Sequence, residues 1–181
     1  MTQLDGDIKE FLYTEEQIGM KVKELGKRIS EDYDGKELVL VGILKGSIPF
    51  MADLIRKITI PCTMDFMAVS SYGSSTESSG VVRILKDLDY EIENKDILIV
   101  EDIIDSGTTL SYLLDYLKRR KPASISIACL LNKPSRRKVD IAVKYVGYEV
   151  PDYFLVGYGL DYAEKYRNLP YIGILKEEVY S

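Results

Sequence analysis

Continuous apolar runs alternate along this chain with stretches in which apolar residues recur every three or four positions. After a possible capping box, Thr14 with Gln17, the residues Ile18, Val22, Leu25 and Ile29 form such a stripe and predict a helix. LVLVGIL (38–44) is too short for a helix and rich enough in β-branched residues for a strand buried on both faces. Gly46 and Ser47 then open a second helix, with Pro49 in its first turn and Met51, Leu54, Ile55 and Ile58 on its buried side. CTMDFMAVSSY (62–72) reads as a strand running into GSSTESSG (73–80), a mobile loop rather than an interdomain linker, because strand-like VVRIL follows at once. ILIV (97–100) predicts another buried strand, and after EDIIDSGTT a helix to about Arg120 buries Leu110, Leu113, Leu114 and Leu117. That helix ends in KRRKP, basic residues at the negative end of its dipole with a proline stop. SISIACLL (124–131), DIAVKYVGY (140–148), YFLVGYG (153–159) and YIGIL (171–175) complete the strands. The alternation predicts an α/β domain with a mostly parallel, twisted sheet flanked by helices.

Composition narrows the classes of function. At 181 residues the chain has one domain's length and can bury roughly 70% of its unfolded surface without metal or disulfide staples. Cys62 and Cys129 both lie in apolar runs, which suits two structural thiols in a reducing compartment. The acidic start MTQLDGDIKEF lacks a signal peptide's apolar stretch, and no run reaches the ~20 apolar residues of a membrane span. A cytoplasmic location is expected, without membrane partners. With 24 basic and 29 acidic residues the net charge is −5, which argues against general nucleic-acid binding. There is no histidine. No Ser-His-Asp triad and no His metal ligand can therefore form, and acid–base chemistry falls to Asp, Glu, Lys, Tyr or Cys.

The densest chemistry lies in ILIVEDIIDSGTTL. Where the apolar run stops, Glu101 and Asp102 follow directly. In open α/β sheets ligands sit at the carboxyl ends of strands. A ribose diol, a magnesium ion, or both would relieve the repulsion between two adjacent acids. Asp105, Ser106, Gly107, Thr108 and Thr109 then supply glycine flexibility, three hydroxyls and the first N–H groups of a helix. That combination suits a phosphate monoester. It is not a Walker A loop, because the GK[ST] ending is missing.

VEDIIDSGTT resembles the phosphoribosyl pyrophosphate motif of the type I phosphoribosyltransferases: apolar strand, two acids, two apolar residues, then D-[ST]-G-x-T. Nearly the whole chain is similar to their hypoxanthine-guanine branch. The resemblance implies a single domain over 1–181 with a small hood from about 1–12 and 150–181, and a dimeric or tetrameric enzyme.

It also assigns roles. Lys45, Gly46 and Ser47 of LKGS would bind pyrophosphate, with a cis peptide at Leu44–Lys45. Ser71 and Tyr72 match the family's flexible lid, which would keep water from a cationic sugar. In NKPSRRK, Lys133 would donate to the purine's exocyclic O6, while Arg136, Arg137 and Lys138 read as a solvated turn. In DYFLVGYGLDYAEKYRNLPY, Phe154 would stack on the purine with Ile103 closing the other side. The backbone of Leu155 would meet the base edge. Asp161 would bind a second magnesium with pyrophosphate, and Arg167 would pair with pyrophosphate oxygens. Among the tyrosines only Tyr72 receives a role.

The implied reaction joins a 6-oxopurine to phosphoribosyl pyrophosphate, giving a nucleoside 5′-monophosphate and pyrophosphate. Asp105 is the expected acceptor of the purine N7 proton, since the chain offers no histidine. Two rivals remain: a xanthine-guanine transferase on the same scaffold, and a regulatory protein that senses phosphoribosyl pyrophosphate and binds nucleic acid. The second calls for a basic face or an added domain, and the sequence offers no basic excess and reads as one domain.

Overall fold

The computed structural model describes residues 4–71 and 82–181. Its main sheet has six strands: β2 (Leu38–Leu44), β3 (Cys62–Ser71), β4 (Val82–Lys86), β5 (Asp96–Ile104), β6 (Ser124–Asn132) and β7 (Tyr145–Glu149). They lie in the order β4-β3-β2-β5-β6-β7. All pairings are parallel except β3 with β4. The chain thus leaves β2 toward β3 on one side and returns to β5 on the other. The crevice between the ends of β2 and β5 is a topological switch point, where such sheets take their ligands.

The two apolar faces follow from the period of two along each strand. Leu38, Leu40, Leu98 and Val100 point to one layer, covered by α1 (Glu15–Asp32) and α2 (Ile48–Ile55). Val39, Val41, Ile97 and Ile99 point to the other, covered by α3 (Thr108–Lys118). The capping box at Thr14 forms in both directions, and Ile18, Val22, Leu25 and Ile29 are buried. Cys129 is fully buried among apolar side chains, and burial pushes its thiol up to about 12. No described helix is long and apolar enough to cross a membrane.

A second sheet, ordered β1-β9-β8, joins β1 (Ile8–Tyr13) to β9 (Ile172–Leu175) and β8 (Leu155–Val156). Both pairings are antiparallel. A short helix, α4 (Glu177–Tyr180), follows. Here the sequence reading was incomplete. IKEFLY buries only Ile8, so no clean alternation marked it as a strand.

Several boundaries also moved. The strand expected over 140–148 begins only at Tyr145. YFLVGYG forms a strand only at Leu155–Val156, because Gly157, Tyr158 and Gly159 turn the chain with positive φ, Gly157 bridging back to Leu160. ILIV extends through both acids to Ile104. Ile58 is buried beyond the end of α2, and Leu114 is only half-buried.

Candidate active site

Because β5 runs to Ile104, Glu101 and Asp102 are successive strand residues and point to opposite faces. Glu101 stands in register with Cys129 and lines a cavity of about 160 Å³ with Asp105, Ser106, Gly107 and Thr109. Burial, and then the charge of Asp102, pushes its carboxyl well above the usual range. The N-cap of α3 is Gly107, which has no side chain to satisfy the first-turn N–H groups. Thr108 N–H reaches Ser106 Oγ at 3.3 Å. Open N–H groups, hydroxyls and a small cavity at a helix N-terminus suit a phosphate.

Asp102 faces the other way, into the switch-point crevice. A Cβ on Gly46 would stand 1.8 Å from Asp102 Oδ2, so LKGS and the acidic strand end are in direct contact. The Leu44–Lys45 peptide is cis. Ser47 is buried, its hydroxyl donating to the Ile43 carbonyl at 2.6 Å. The C-terminal segment closes the same crevice: a Cβ on Gly159 would lie 2.0 Å from the Gly46 carbonyl oxygen. Arg167 donates to the Gly159 carbonyl at 2.7 Å and pairs with Asp161 at 3.0 Å. Burial pushes the Asp102 carboxyl up to about 6. The Ile103 N–H and Arg167 oppose that rise, and Asp161 adds to it.

A second cavity, about 460 Å³, is lined by Asp102, Ile103, Asp105, Lys133, Phe154, Leu155 and Asp161, with Tyr180 at its side. The Lys133 side chain is only 8% exposed, although a lysine is expected at the surface. Its ammonium donates to the Tyr153 carbonyl at 2.7 Å and lies 3.6 Å from Asp105 and 3.7 Å from Asp152. Asp105 itself is half exposed toward the cavity. Phe154 keeps 37% of its surface exposed, while Leu155 is buried.

The expected site residues thus fall into adjoining groups. Glu101, Asp105, Ser106, Gly107 and Thr109 line the small cavity, with Thr108 as the first residue of α3. Asp102, Ile103, Lys133, Phe154, Leu155 and Asp161 surround the larger one. Lys45, Gly46, Ser47 and Arg167 lie at the crevice beside it. Of the expected lid, Ser71 ends β3, and Tyr72 lies outside the described residues. Glu101, Asp102 and Asp161 do not converge: among the described residues no three potential ligands are grouped to hold a metal. Asp102 and Asp161 do share one cavity. Two carboxylates completed by substrate oxygens is the arrangement in which magnesium is usually held.

Two residues at the site were not foreseen. Glu164 bridges the crevice cations, accepting from Lys45 at 2.9 Å and Arg167 at 3.2 Å. An acid in the run AEKYR carries no sequence signal of its own. Arg137, read as part of a solvated turn, is half-buried instead. It donates to Asn132 and packs its Cδ against Gly107. Arg137 Nη1 and Arg167 Nε are buried without a partner among the described residues. One lies beside the phosphate-sized cavity and the other at the crevice, which suits ligands carrying anionic groups.

A strand-end acid pair, a hydroxyl- and glycine-bearing loop at a helix N-terminus and a flanking crevice on an α/β sheet suit a phosphoribosyltransferase, and residues 10–163 match the phosphoribosyl transferase domain. The chain belongs to that family. It is 60% identical to the hypoxanthine-guanine phosphoribosyltransferase of Bacillus subtilis, over 96% of this chain and 97% of that protein. The enzyme of the same name from Streptococcus agalactiae is 56% identical over 98% of this chain and 99% of its own. A hypoxanthine phosphoribosyltransferase structure from Staphylococcus aureus superposes with a TM-score of 0.97 at 58% identity, covering 99% of this chain and 98% of that one.

Proposed function

We propose that this chain is a purine-salvage enzyme that transfers the 5-phosphoribosyl group from phosphoribosyl pyrophosphate to hypoxanthine and guanine, releasing pyrophosphate. The observation that carries the reading is one cavity holding Asp105, Lys133, Phe154 and Ile103, next to a phosphate loop that shares Asp105 and Ile103. A base between Phe154 and Ile103 would have its oxygen edge at the Lys133 ammonium. Lys133 already donates to a backbone carbonyl there, so a 6-oxo group suits it and a 6-amino group does not.

The α3 N-terminus with Ser106, Thr108 and Thr109 fixes the 5′-phosphate. Glu101 and Asp102 flank the ribose, and the LKGS backbone with Lys45 and Arg167 takes the pyrophosphate. Positioning the sugar between base and leaving group is the main contribution of these residues. Asp105 accepts the purine N7 proton as N9 bonds to the sugar. Magnesium would be held by Asp102 and Asp161 and would supply positive charge to the pyrophosphate oxygens. The terminal sheet is read as a hood over the base, and the enzyme as a cytoplasmic homodimer or homotetramer.

The decisive assay combines the protein with magnesium, phosphoribosyl pyrophosphate and each of hypoxanthine, guanine, xanthine and adenine. Pyrophosphate release with hypoxanthine and guanine is expected. No release with any base would overturn the enzyme reading, and release with xanthine and guanine alone would change the substrate.

A further inference from the structure

Phe154 lines the base cavity with Tyr153 and Tyr180, and although its carbonyl accepts from the Leu175 N–H at 2.9 Å, that bond leaves the ring free to rotate. It lies in the loop before β8, outside any helix or strand. What meets the ring is Tyr180 from the C-terminal helix. The two rings stack at 4.6 Å between centroids, 20° apart. Tyr162 meets Phe154 edge-on at 5.6 Å and Tyr180 edge-on at 6.4 Å, so the three rings form one cluster. Tyr162 and Tyr180 pack on the small core of the terminal sheet, built from Ile8, Val156, Tyr166, Leu169 and Leu175. With one face covered by Tyr180, Phe154 still keeps 37% of its surface exposed. Both rings line the cavity assigned to the base.

We propose that Tyr180 is a positioning residue for the base: it backs Phe154 and holds the ring so that its other face closes on the purine opposite Ile103. This rests on the function proposed above and extends the base site into α4. An aromatic ring in a loop can rotate about two side-chain torsions. Stacking on a ring anchored in a separate core removes that freedom before the base arrives, and prior ordering of this kind raises affinity. The tyrosine hydroxyl is not needed for it.

Steady-state kinetics of the full chain tests this with Tyr180→Ala, Tyr180→Phe, Phe154→Ala and the Phe154→Ala/Tyr180→Ala double variant. Tyr180→Ala is expected to raise KM for hypoxanthine roughly 2- to 12-fold, with kcat and KM for phosphoribosyl pyrophosphate unchanged. That factor is the aromatic-pair range of about 0.5–1.5 kcal/mol converted at about 1.4 kcal/mol per tenfold. Tyr180→Phe should restore the wild-type KM. The double variant should bind hypoxanthine no more weakly than Phe154→Ala alone. An unchanged KM in Tyr180→Ala would overturn the proposal, and a lowered one would show that Tyr180 occupies the base's own face. An equal rise in KM for phosphoribosyl pyrophosphate would overturn it too, by showing general damage to the terminal sheet. Wild-type turnover with 6-oxopurines reports on the function itself, so the two readings fail separately.

Discussion

The α-carbon of Gly46 is turned directly at the carboxylate of Asp102, so that a Cβ there would stand 1.8 Å from Oδ2. The loop after β2 meets strand β5 with no room for a methyl group. Gly46→Ala must displace Asp102, and a misplacement of about 1 Å can cost roughly 10²-fold in rate. A kcat/KM lower by about that factor is expected, with most of the thermal stability kept. Wild-type activity in Gly46→Ala would show that the contact has no part in catalysis.

Asp105 lines both cavities and lies 3.6 Å from the buried Lys133 ammonium. Asp105→Asn keeps the shape and removes the proton acceptor. kcat should fall by about 10²–10⁴-fold while KM for the base changes far less. Unchanged turnover would remove Asp105 from proton transfer.

Glu164 holds the two cations assigned to pyrophosphate, and the hydrogen bond from Lys45, then that from Arg167, keeps its carboxyl below the usual range. It is 64% exposed, so the pairing is weak. Pyrophosphate must displace it. Glu164→Gln should therefore strengthen inhibition by pyrophosphate a few-fold, roughly 1.5- to 5-fold. Weaker inhibition would mean that Glu164 orients the cations rather than competing for them.

Asp32, at the end of α1, accepts from Tyr145 at 2.6 Å and from Lys144 at 3.0 Å, and so ties that helix to β7. The Tyr145 hydrogen bond, then Lys144, lowers its pKa from 3.8. A lowered folded-state value means the stabilisation is complete above the unfolded value and is lost as pH falls through the folded one. Thermal melting should show wild type above Asp32→Asn at pH 6, with the gap closing below about pH 4. A gap independent of pH would show that the carboxylate charge is not its source.

The sequence by itself determined the parallel sheet and singled out the D-S-G-T-T loop at the start of a helix. Runs such as LVLVGIL must be buried on both faces, and D-S-G-T-T at a helix start has few other physical uses. These are local properties, readable from neighbours in the chain. The tertiary structure decided what distant segments do together. It turned Glu101 and Asp102 to opposite faces, because ILIV continues pairing with β6 through both acids. It half-buried Arg137 against Gly107, bridged Lys45 and Arg167 with Glu164, and stacked Tyr180 on Phe154. None of these has a local signal, because each depends on which surfaces the folded strands bring into contact.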